Sequence, residues 1–268
     1  MKKLIILLFL PLLIVSCYSR GNKSSAGDYS SPPPHKLDKE TELSNQKQLA
    51  IASVRRGNFQ QAIKDIAPAE EIDDKDPEVY LIKGVIYYGL KDNKTAEENY
   101  LYSLKLDSDY TEAHYNLCGL YLVEDKLDQA ITECSFAASD PLYRARASAL
   151  TNLGIAYFRK GDVNKAKQYY DKALEINPAY VYTHNEIGKL FMSIGKEEDA
   201  ILEFKQAISG FPEYDEAHYN LGVVYLKQQN NLLACHQFNK VVELTPNSQL
   251  GLNSKKYLNT VCYNQYTN

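Results

Sequence analysis

Apolar and small residues recur every 34 positions between Leu43 and Ser248. In residues 147–180 the recurring positions hold Leu153, Gly154, Tyr157, Gly161, Ala166, Tyr170, Ala173 and Pro178. We number them 7, 8, 11, 15, 20, 24, 27 and 32 of the repeat. Self-similarity at this period is typical of stacked helix pairs, in which each repeat contributes two helices and a short turn. The pattern therefore predicts an array of helix pairs.

Six repeats account for residues 43–248 without a gap. They span 43–76, 77–110, 111–146, 147–180, 181–214 and 215–248, and the third is 36 residues long. Beyond them, Leu250, Leu252, Tyr257, Leu258 and Val261 fall at helical spacing. Because an end repeat must cover its open apolar face, residues 249–268 are expected to form a capping helix and tail. The predicted fold class is an all-α solenoid of six helix pairs plus a C-terminal capping helix.

The residue type at each recurring position is explained by how the helices pack against one another. We expect the small residue at position 8 to face Ala at position 20, aromatics at 11 and 24 to fill the space between pairs, and Pro at 32 to end the second helix. This combination resembles the tetratricopeptide repeat family over roughly three quarters of the chain. It departs at position 4, where the family often has Trp and this chain has none. The resemblance implies a module that binds other proteins.

The N-terminus carries an export pattern. Lys2 and Lys3 precede the apolar run 4–15, and residues 14–17 (Ile-Val-Ser-Cys) match a bacterial lipobox. Residues 1–16 are therefore predicted to be a lipoprotein signal peptide, and Cys17 the lipidated first residue of the mature chain. The alternative is a transmembrane helix, but twelve apolar residues fall short of the roughly 20 needed to span a bilayer.

Residues 17–42 are expected to be a lipid anchor and flexible tether, because Ser, Gly, Lys and Pro dominate them and few apolar residues are present. Acyl chains on Cys17 would anchor the protein stably. The residue after the lipidated cysteine influences sorting, and Tyr18 is not the Asp that typically retains lipoproteins at the inner membrane. The sequence therefore predicts attachment to the outer membrane, on its periplasmic face.

Charge and motifs narrow the function classes. The formal net charge of -4 and the lack of a basic stripe argue against a nucleic-acid partner. No phosphate-binding glycine loop, His-Glu-x-x-His or Cys-x-x-Cys motif occurs. Three histidines, His114, His184 and His218, share position 4 and are interpreted as packing residues. We expect a protein that is not an enzyme, with no catalytic residues, cofactor, metal or small-molecule substrate.

Four cysteines remain after Cys17, and four thiols allow three pairings. Cys118 and Cys134 occupy positions 8 and 24 of one repeat, so they can approach the distance that a disulfide requires. We favour that pair over Cys235 with Cys262. The alternative is that Cys118 and Cys134 are small buried residues in the reduced state.

Function is expected on the inner surface, where the first helices present positions 2, 5, 9, 12 and 13. The predicted protein-binding groove consists of Ile51, Val54, Leu81, Val85, Tyr88, Tyr115, Leu122, Ile155 and Phe158. Such a stripe suits an apolar helix or extended segment. A groove that binds a ligand carboxylate requires Lys and Asn clustered at these inner positions. Such residues are few here, and they include Lys47, Arg55, Asn185 and Lys189. Another alternative is that the tether or neighbouring helices cover part of the stripe.

A narrower resemblance rests on the long third repeat. Residues 138–143 (Ala-Ser-Asp-Pro-Leu-Tyr), residues 152–157 (Asn-Leu-Gly-Ile-Ala-Tyr), Gly161-Asp162, Lys165-Ala166 and the preceding Cys118 are similar to the pilotin lipoproteins of type IV pilus systems. The resemblance implies a lipid anchor, six tetratricopeptide repeats and a final helix. It also implies that the chain helps an outer-membrane secretin reach its membrane and multimerise. The alternative is a periplasmic adaptor that scaffolds cell-wall enzymes or outer-membrane assembly factors.

Overall fold

The computed structural model describes residues 38–262. In that range the chain forms thirteen α-helices and no strand, which confirms the predicted all-α class of six helix pairs and a final helix. The predicted signal peptide, Cys17, the tether up to residue 37 and the tail 263–268 lie outside the described residues. The described chain divides into two compact units, which meet in sequence between Glu124 and Asp125.

The N-terminal unit, up to Glu124, contains five helices. They are α1 (Lys39–Arg55), α2 (Phe59–Ile72), α3 (Pro77–Gly89), α4 (Asn93–Leu106) and α5 (Thr111–Val123). Helix α1 begins ahead of Leu43, the first residue of the periodic pattern. Asp38 explains this start, because its Oδ1 accepts a hydrogen bond from the Thr41 backbone N–H at 2.8 Å and so caps the helix.

The C-terminal unit, from Asp125, contains eight helices in its described part. They are α6 (Leu127–Ser139), α7 (Arg146–Arg159), α8 (Val163–Ile176), α9 (Val181–Ser193), α10 (Glu197–Gly210), α11 (Asp215–Lys227), α12 (Asn231–Leu244) and α13 (Gln249–Tyr257). A π-helical turn, Leu258–Cys262, follows α13. Helix α13 contacts both α11 and α12, as expected of a capping helix.

The turn inside each pair is built at position 15. Every residue there has a positive φ: Gly57 (72°), Lys91 (67°), Asp125 (59°), Gly161 (85°), Gly195 (75°) and Gln229 (58°). Glycine reaches this left-handed conformation without strain, which explains its preference there. In four repeats the next residue caps the second helix through its side chain: Asn58, Asp92, Asp162 and Asn230.

The small residue at position 8 lies nearest to position 24 of its own repeat, whereas the sequence pattern predicts Ala at position 20 as its neighbour. A Cβ added to Gly154 would lie 2.4 Å from Cε1 of Tyr170. Gly84 with Tyr100, Gly188 with Phe204 and Gly222 with Phe238 repeat this arrangement. In the first repeat the same two positions hold Ala50 and Ile66, which share one core cluster. A larger residue at position 8 therefore accompanies a smaller one at position 24.

Candidate protein-binding surface

The nine predicted groove residues fall into a buried group and a half-buried group. Five are buried in the structure: Ile51 (2 % exposed), Leu81 (1 %), Val85 (3 %), Tyr115 (7 %) and Leu122 (1 %). The other four are half-buried: Val54, Tyr88, Ile155 and Phe158. The buried five contribute to packing, so the half-buried four are the apolar positions of this set that a partner can touch. The binding role of all nine stays a prediction.

In the N-terminal unit the accessible positions lie near the ends of the first helices. Val54 packs against the core cluster that contains Ile51. Tyr88 lies one residue before the end of α3, and the ammonium of Lys91 lies 5.8 Å from its ring centroid. Burial raises the pKa of the Tyr88 hydroxyl, so the ring presents a neutral, partly apolar surface.

In the C-terminal unit Ile155 and Phe158 lie on α7 and pack against the cluster that contains Tyr170 and Leu190. Further half-buried apolar side chains follow on the later first helices: Met192, Tyr219, Val223 and Leu226. Five of these six half-buried side chains occupy positions 9 and 12 of their repeats, and Tyr219 occupies position 5.

The inner lysine of the C-terminal unit is already paired. Lys189 donates to Glu186 at 2.7 Å and to Glu216 at 3.3 Å. Burial alone would lower the pKa of Lys189, but the two carboxylates outweigh it and raise that pKa. Burial also raises the pKa of Glu186, an effect that Lys189 partly opposes.

The same arrangement occurs in the N-terminal unit. Lys47 lies 2.6 Å from both the Asp76 and the Glu78 carboxylates. Burial would lower its pKa, and hydrogen bonds to these carboxylates raise it. Because Lys47 and Lys189 are neutralised within the protein, the structure disfavours a groove that clamps a ligand carboxylate through them.

A ladder of polar pairs joins successive first helices, and the sequence did not predict it. The hydroxyls of Thr151 and Thr183 lie 2.7 Å apart, and Asn220 Nδ2 donates to Asn185 Oδ1 at 3.0 Å. The signal was present, because these polar residues occupy positions 3, 5 and 6 of their repeats: Thr183 is at position 3, Thr151 and Asn185 are at position 5, and Asn220 is at position 6. The ladder satisfies these polar groups, of which Thr151, Thr183 and Asn185 are buried, and joins neighbouring first helices.

The position-4 histidines link consecutive repeats, which supports their interpretation as packing residues. In each, Nε2 meets the backbone carbonyl six residues earlier. The distances are 3.0 Å for His114 to Ser108, 2.9 Å for His184 to Pro178 and 3.0 Å for His218 to Pro212. His184 Nδ1 also lies 2.7 Å from Glu203 Oε2. That hydrogen bond raises the pKa of His184 above its ordinary value, against the lowering effect of burial.

Within residues 38–262, no three or more His, Cys, Asp or Glu side chains form a group that could hold a metal ion. Within the same stretch no helix is both long and apolar enough to cross a bilayer.

A disulfide joins Cys235 of α12 to Cys262 of the π-helical turn, with the Cα atoms 6.1 Å apart. This is the pair that the sequence placed second. Cys118 and Cys134 are both completely buried, and their pairing stays a prediction. We expect intact-mass analysis after alkylation to show two disulfides. A chain in which Cys118 and Cys134 take up the alkylating reagent without prior reduction would contradict it.

Comparison with known proteins identifies the repeat. Two family profiles are described as tetratricopeptide repeat: one matches residues 147–180 and the other matches residues 77–110 and 215–248. A further profile, described as TPR repeat, matches residues 188–229. The chain carries tetratricopeptide repeats. The helix pairs, the turn at position 15 and the position-8 contacts are thus features of tetratricopeptide packing.

Among curated proteins, the chain is similar to the type IV pilus assembly protein PilF of Pseudomonas aeruginosa, with 28 % identity over 130 residues. The match covers 48 % of this chain and 52 % of PilF, so it spans about half the length of that relative. The solved structure of Pseudomonas aeruginosa PilF superposes with a TM-score of 0.70 at 20 % identity, over 82 % of this chain and 99 % of that one.

PilW, described as a widely conserved type IV pilus biogenesis factor, superposes equally well. Its TM-score is 0.70 at 22 % identity, over 79 % of this chain and 97 % of PilW. At these identities the structural likeness shows a shared tetratricopeptide fold.

Proposed function

We propose that the protein is an outer-membrane lipoprotein that assists type IV pilus biogenesis by binding a protein partner, the pilus secretin, and promoting its localisation and multimerisation. The observation that carries this proposal is the sequence similarity to the type IV pilus assembly protein PilF. The lipobox that ends at Cys17 supplies the anchor, and acyl chains there would hold the repeats on the periplasmic face of the membrane.

The disulfide supports export. Cys235 and Cys262 are joined in the C-terminal unit, and stable disulfides belong mainly to oxidising compartments such as the bacterial periplasm. Two independent parts of the chain, the N-terminal pattern and this disulfide, therefore agree with a periplasmic location.

The inner surface supports an apolar partner segment. Tyr88 in one unit and Phe158 in the other are half-buried apolar positions, while the inner lysines are occupied by carboxylates of the protein itself. Aromatic side chains with part of their area accessible are typical anchors of protein interfaces. We therefore assign Tyr88 as the principal contact that the N-terminal unit makes with the secretin, and Phe158 as that of the C-terminal unit, each considered by itself.

Complementation of a deletion strain tests the function. We expect loss of the gene to reduce secretin multimers in the outer membrane, as measured by immunoblot of membrane fractions, and the wild-type chain to restore them. Cys17→Ser should release the protein into the soluble periplasmic fraction and fail to restore multimers. Unchanged multimers in the deletion strain would refute the secretin role, and membrane retention of Cys17→Ser would refute the lipid anchor.

A matched pair of variants tests the surface. Tyr88→Ser on α3 should weaken cross-linking to the secretin, whereas Leu101→Ser on α4, where the side chain is 46 % exposed, should leave it unchanged. Circular dichroism checks that both variants keep their helical content. Equal cross-linking by the two variants would contradict the assignment of Tyr88. Recovery of cell-wall enzymes in place of a secretin would instead favour the adaptor function.

A further inference from the structure

A cavity of ≈ 400 Å³ opens among α6, α7 and α8 of the C-terminal unit. Its lining includes Ala138 of α6, the buried Leu150 and Leu153 of α7, and Tyr169, Lys172 and the exposed Ile176 of α8. Arg146, the first residue of α7, also lines it. We call this cavity the α6–α8 slot. It adjoins the insertion that makes the third repeat longer than the others.

The slot arises where two residues depart from the repeat pattern. At position 28 the second, fourth, fifth and sixth repeats carry a half-buried aliphatic residue: Leu104, Leu174, Ile208 and Val242. The third repeat carries Ala138 there. The last residue of the repeat is tyrosine in the second, fourth and fifth repeats, Tyr110, Tyr180 and Tyr214, and it is Arg146 in the third.

The fifth repeat shows what these two positions ordinarily do. Ile208 and Tyr214 belong to one apolar cluster, in which Tyr214 is buried and Ile208 packs against it. The repeat thus normally fills the space between a second helix and the next first helix with its own aliphatic and aromatic side chains. With Ala138 and Arg146 at the corresponding sequence positions, the third repeat has a smaller apolar side chain and a cation in place of the aromatic ring.

The cation is held in place. Arg146 Nε donates to the Ala138 carbonyl at 2.9 Å, and the two terminal guanidinium nitrogens make no hydrogen bond to another described residue. Lys172 lies with its ammonium 5.1 Å from the Tyr169 ring centroid. Glu175 is the one acidic residue among those that line the slot, so Arg146, Lys172 and Glu175 together carry a net charge of +1.

We propose that the α6–α8 slot binds a short segment of a partner protein in which an apolar side chain stands next to a carboxylate. The apolar side chain would contact the accessible Ile176 and the half-buried Tyr169 of α8, above the buried Leu150 and Leu153 of α7. The carboxylate would accept hydrogen bonds from the terminal nitrogens of Arg146, since a planar guanidinium suits a carboxylate. The slot shares no residue with the predicted groove, so it goes beyond the proposed function as a second recognition site.

The test uses the full chain, purified in a nonionic detergent, and a fluorescein-labelled hexapeptide with blocked ends, Gly-Ser-Leu-Glu-Ser-Gly. We expect saturable binding by fluorescence polarisation. Replacing the peptide's Glu by Gln, or Arg146→Tyr in the protein, should weaken binding roughly tenfold or more, because a charge-assisted hydrogen bond is lost. Ala138→Leu, which restores the residue type of the other repeats, should abolish binding while circular dichroism stays unchanged.

Leu202→Ser on α10 is the control, because this side chain is 57 % exposed and does not line the slot; it should bind the peptide as the wild type does. Absence of saturable binding up to about 1 mM peptide would overturn the proposal. Undiminished affinity in Ala138→Leu would overturn it too. If the protein binds hexanoate but neither peptide, the slot is a site for small aliphatic carboxylates, and that result would refute a protein ligand.

Discussion

The contact between positions 8 and 24 makes a quantitative prediction about Gly154→Ala. A methyl group on Gly154 would lie 2.4, 2.6 and 3.1 Å from three ring atoms of Tyr170. Tyr170 is completely buried, so its ring has no open space into which to move. Separations below 3.0 Å require the ring or one of the two helices to shift.

Two opposing effects set the magnitude. Alanine is favoured over glycine inside a helix by about 0.5–1 kcal/mol. Overpacking a tight contact costs about 1–3 kcal/mol. We therefore expect Gly154→Ala to lower the free energy of unfolding by about 1 kcal/mol, and by no more than about 2.5 kcal/mol. For a helical region of this size that corresponds to a fall in Tm of about 2–4 °C for each kcal/mol.

Urea unfolding followed by far-UV circular dichroism measures this change, and a second substitution isolates its cause. Tyr170→Ile alone should lose about 2–4 kcal/mol through the cavity that it leaves. Adding Gly154→Ala in that background should cost nothing, because it recreates the Ala50 and Ile66 pair of the first repeat. The two substitutions should thus show a favourable coupling of about 1 kcal/mol or more.

Gly161→Ala serves as the control. Gly161 has a φ of +85° and no atom within 4 Å of an added Cβ, so alanine there is penalised by the backbone alone, by about 1–2 kcal/mol. That penalty should be the same with or without Tyr170→Ile. If Gly154→Ala proves stabilising, or if its effect adds to that of Tyr170→Ile without coupling, the proposed clash does not exist.

Three further predictions follow from buried polar groups and the disulfide. Tyr170→Phe should raise the unfolding free energy by about 1 kcal/mol in the same urea assay, because the buried Tyr170 hydroxyl has no hydrogen-bond partner within the described chain; a loss of stability would contradict this. Glu203→Gln, which copies Gln237 of the next repeat, should remove the stabilisation that comes from the raised pKa of His184. Wild type and variant should therefore differ most below pH of about 6.5 and converge as pH rises through the folded-state pKa of His184, and a difference that grows with pH would refute it. Cys262→Ser opens a disulfide that spans 27 residues, and we expect a loss of about 3–4 kcal/mol together with faster amide hydrogen exchange in α13; unaltered exchange would mean that the disulfide does not hold the cap.

The 34-residue period predicts the number and order of the helices because each recurring residue meets a local requirement of packing or of turn geometry. Gly161 and its equivalents predict the turn inside each repeat, and the apolar residues from Leu250 to Val261 predict the final helix. The capped start of α1 at Lys39 was missed because Asp38 lies outside the repeat. The partner of the position-8 glycine was also mistaken, because spacing along a helix does not tell which residue of the facing helix projects toward it.

The candidate site was harder to predict. Leu81 and Phe158 both satisfy the pattern for the inner face, yet one is buried and the other half-buried, because burial depends on side chains of neighbouring repeats. The pairing of Lys189 with Glu186 and Glu216 could not be predicted from the sequence, because it too depends on a side chain of the neighbouring repeat. By contrast, the α6–α8 slot can be traced to Ala138 in the sequence once the fold shows what position 28 does elsewhere.

The paired volumes at positions 8 and 24 also bear on how such genes can be rearranged. A crossover between repeats moves both residues together and keeps their fit. A crossover in the turn inside a repeat would join the helix of Ala50 to that of Tyr170, or the helix of Gly154 to that of Ile66. The first hybrid would force a methyl group into a ring and the second would leave a void. Whole repeats can therefore be duplicated or shuffled, whereas the two helices of one repeat must stay together because their side-chain volumes are complementary.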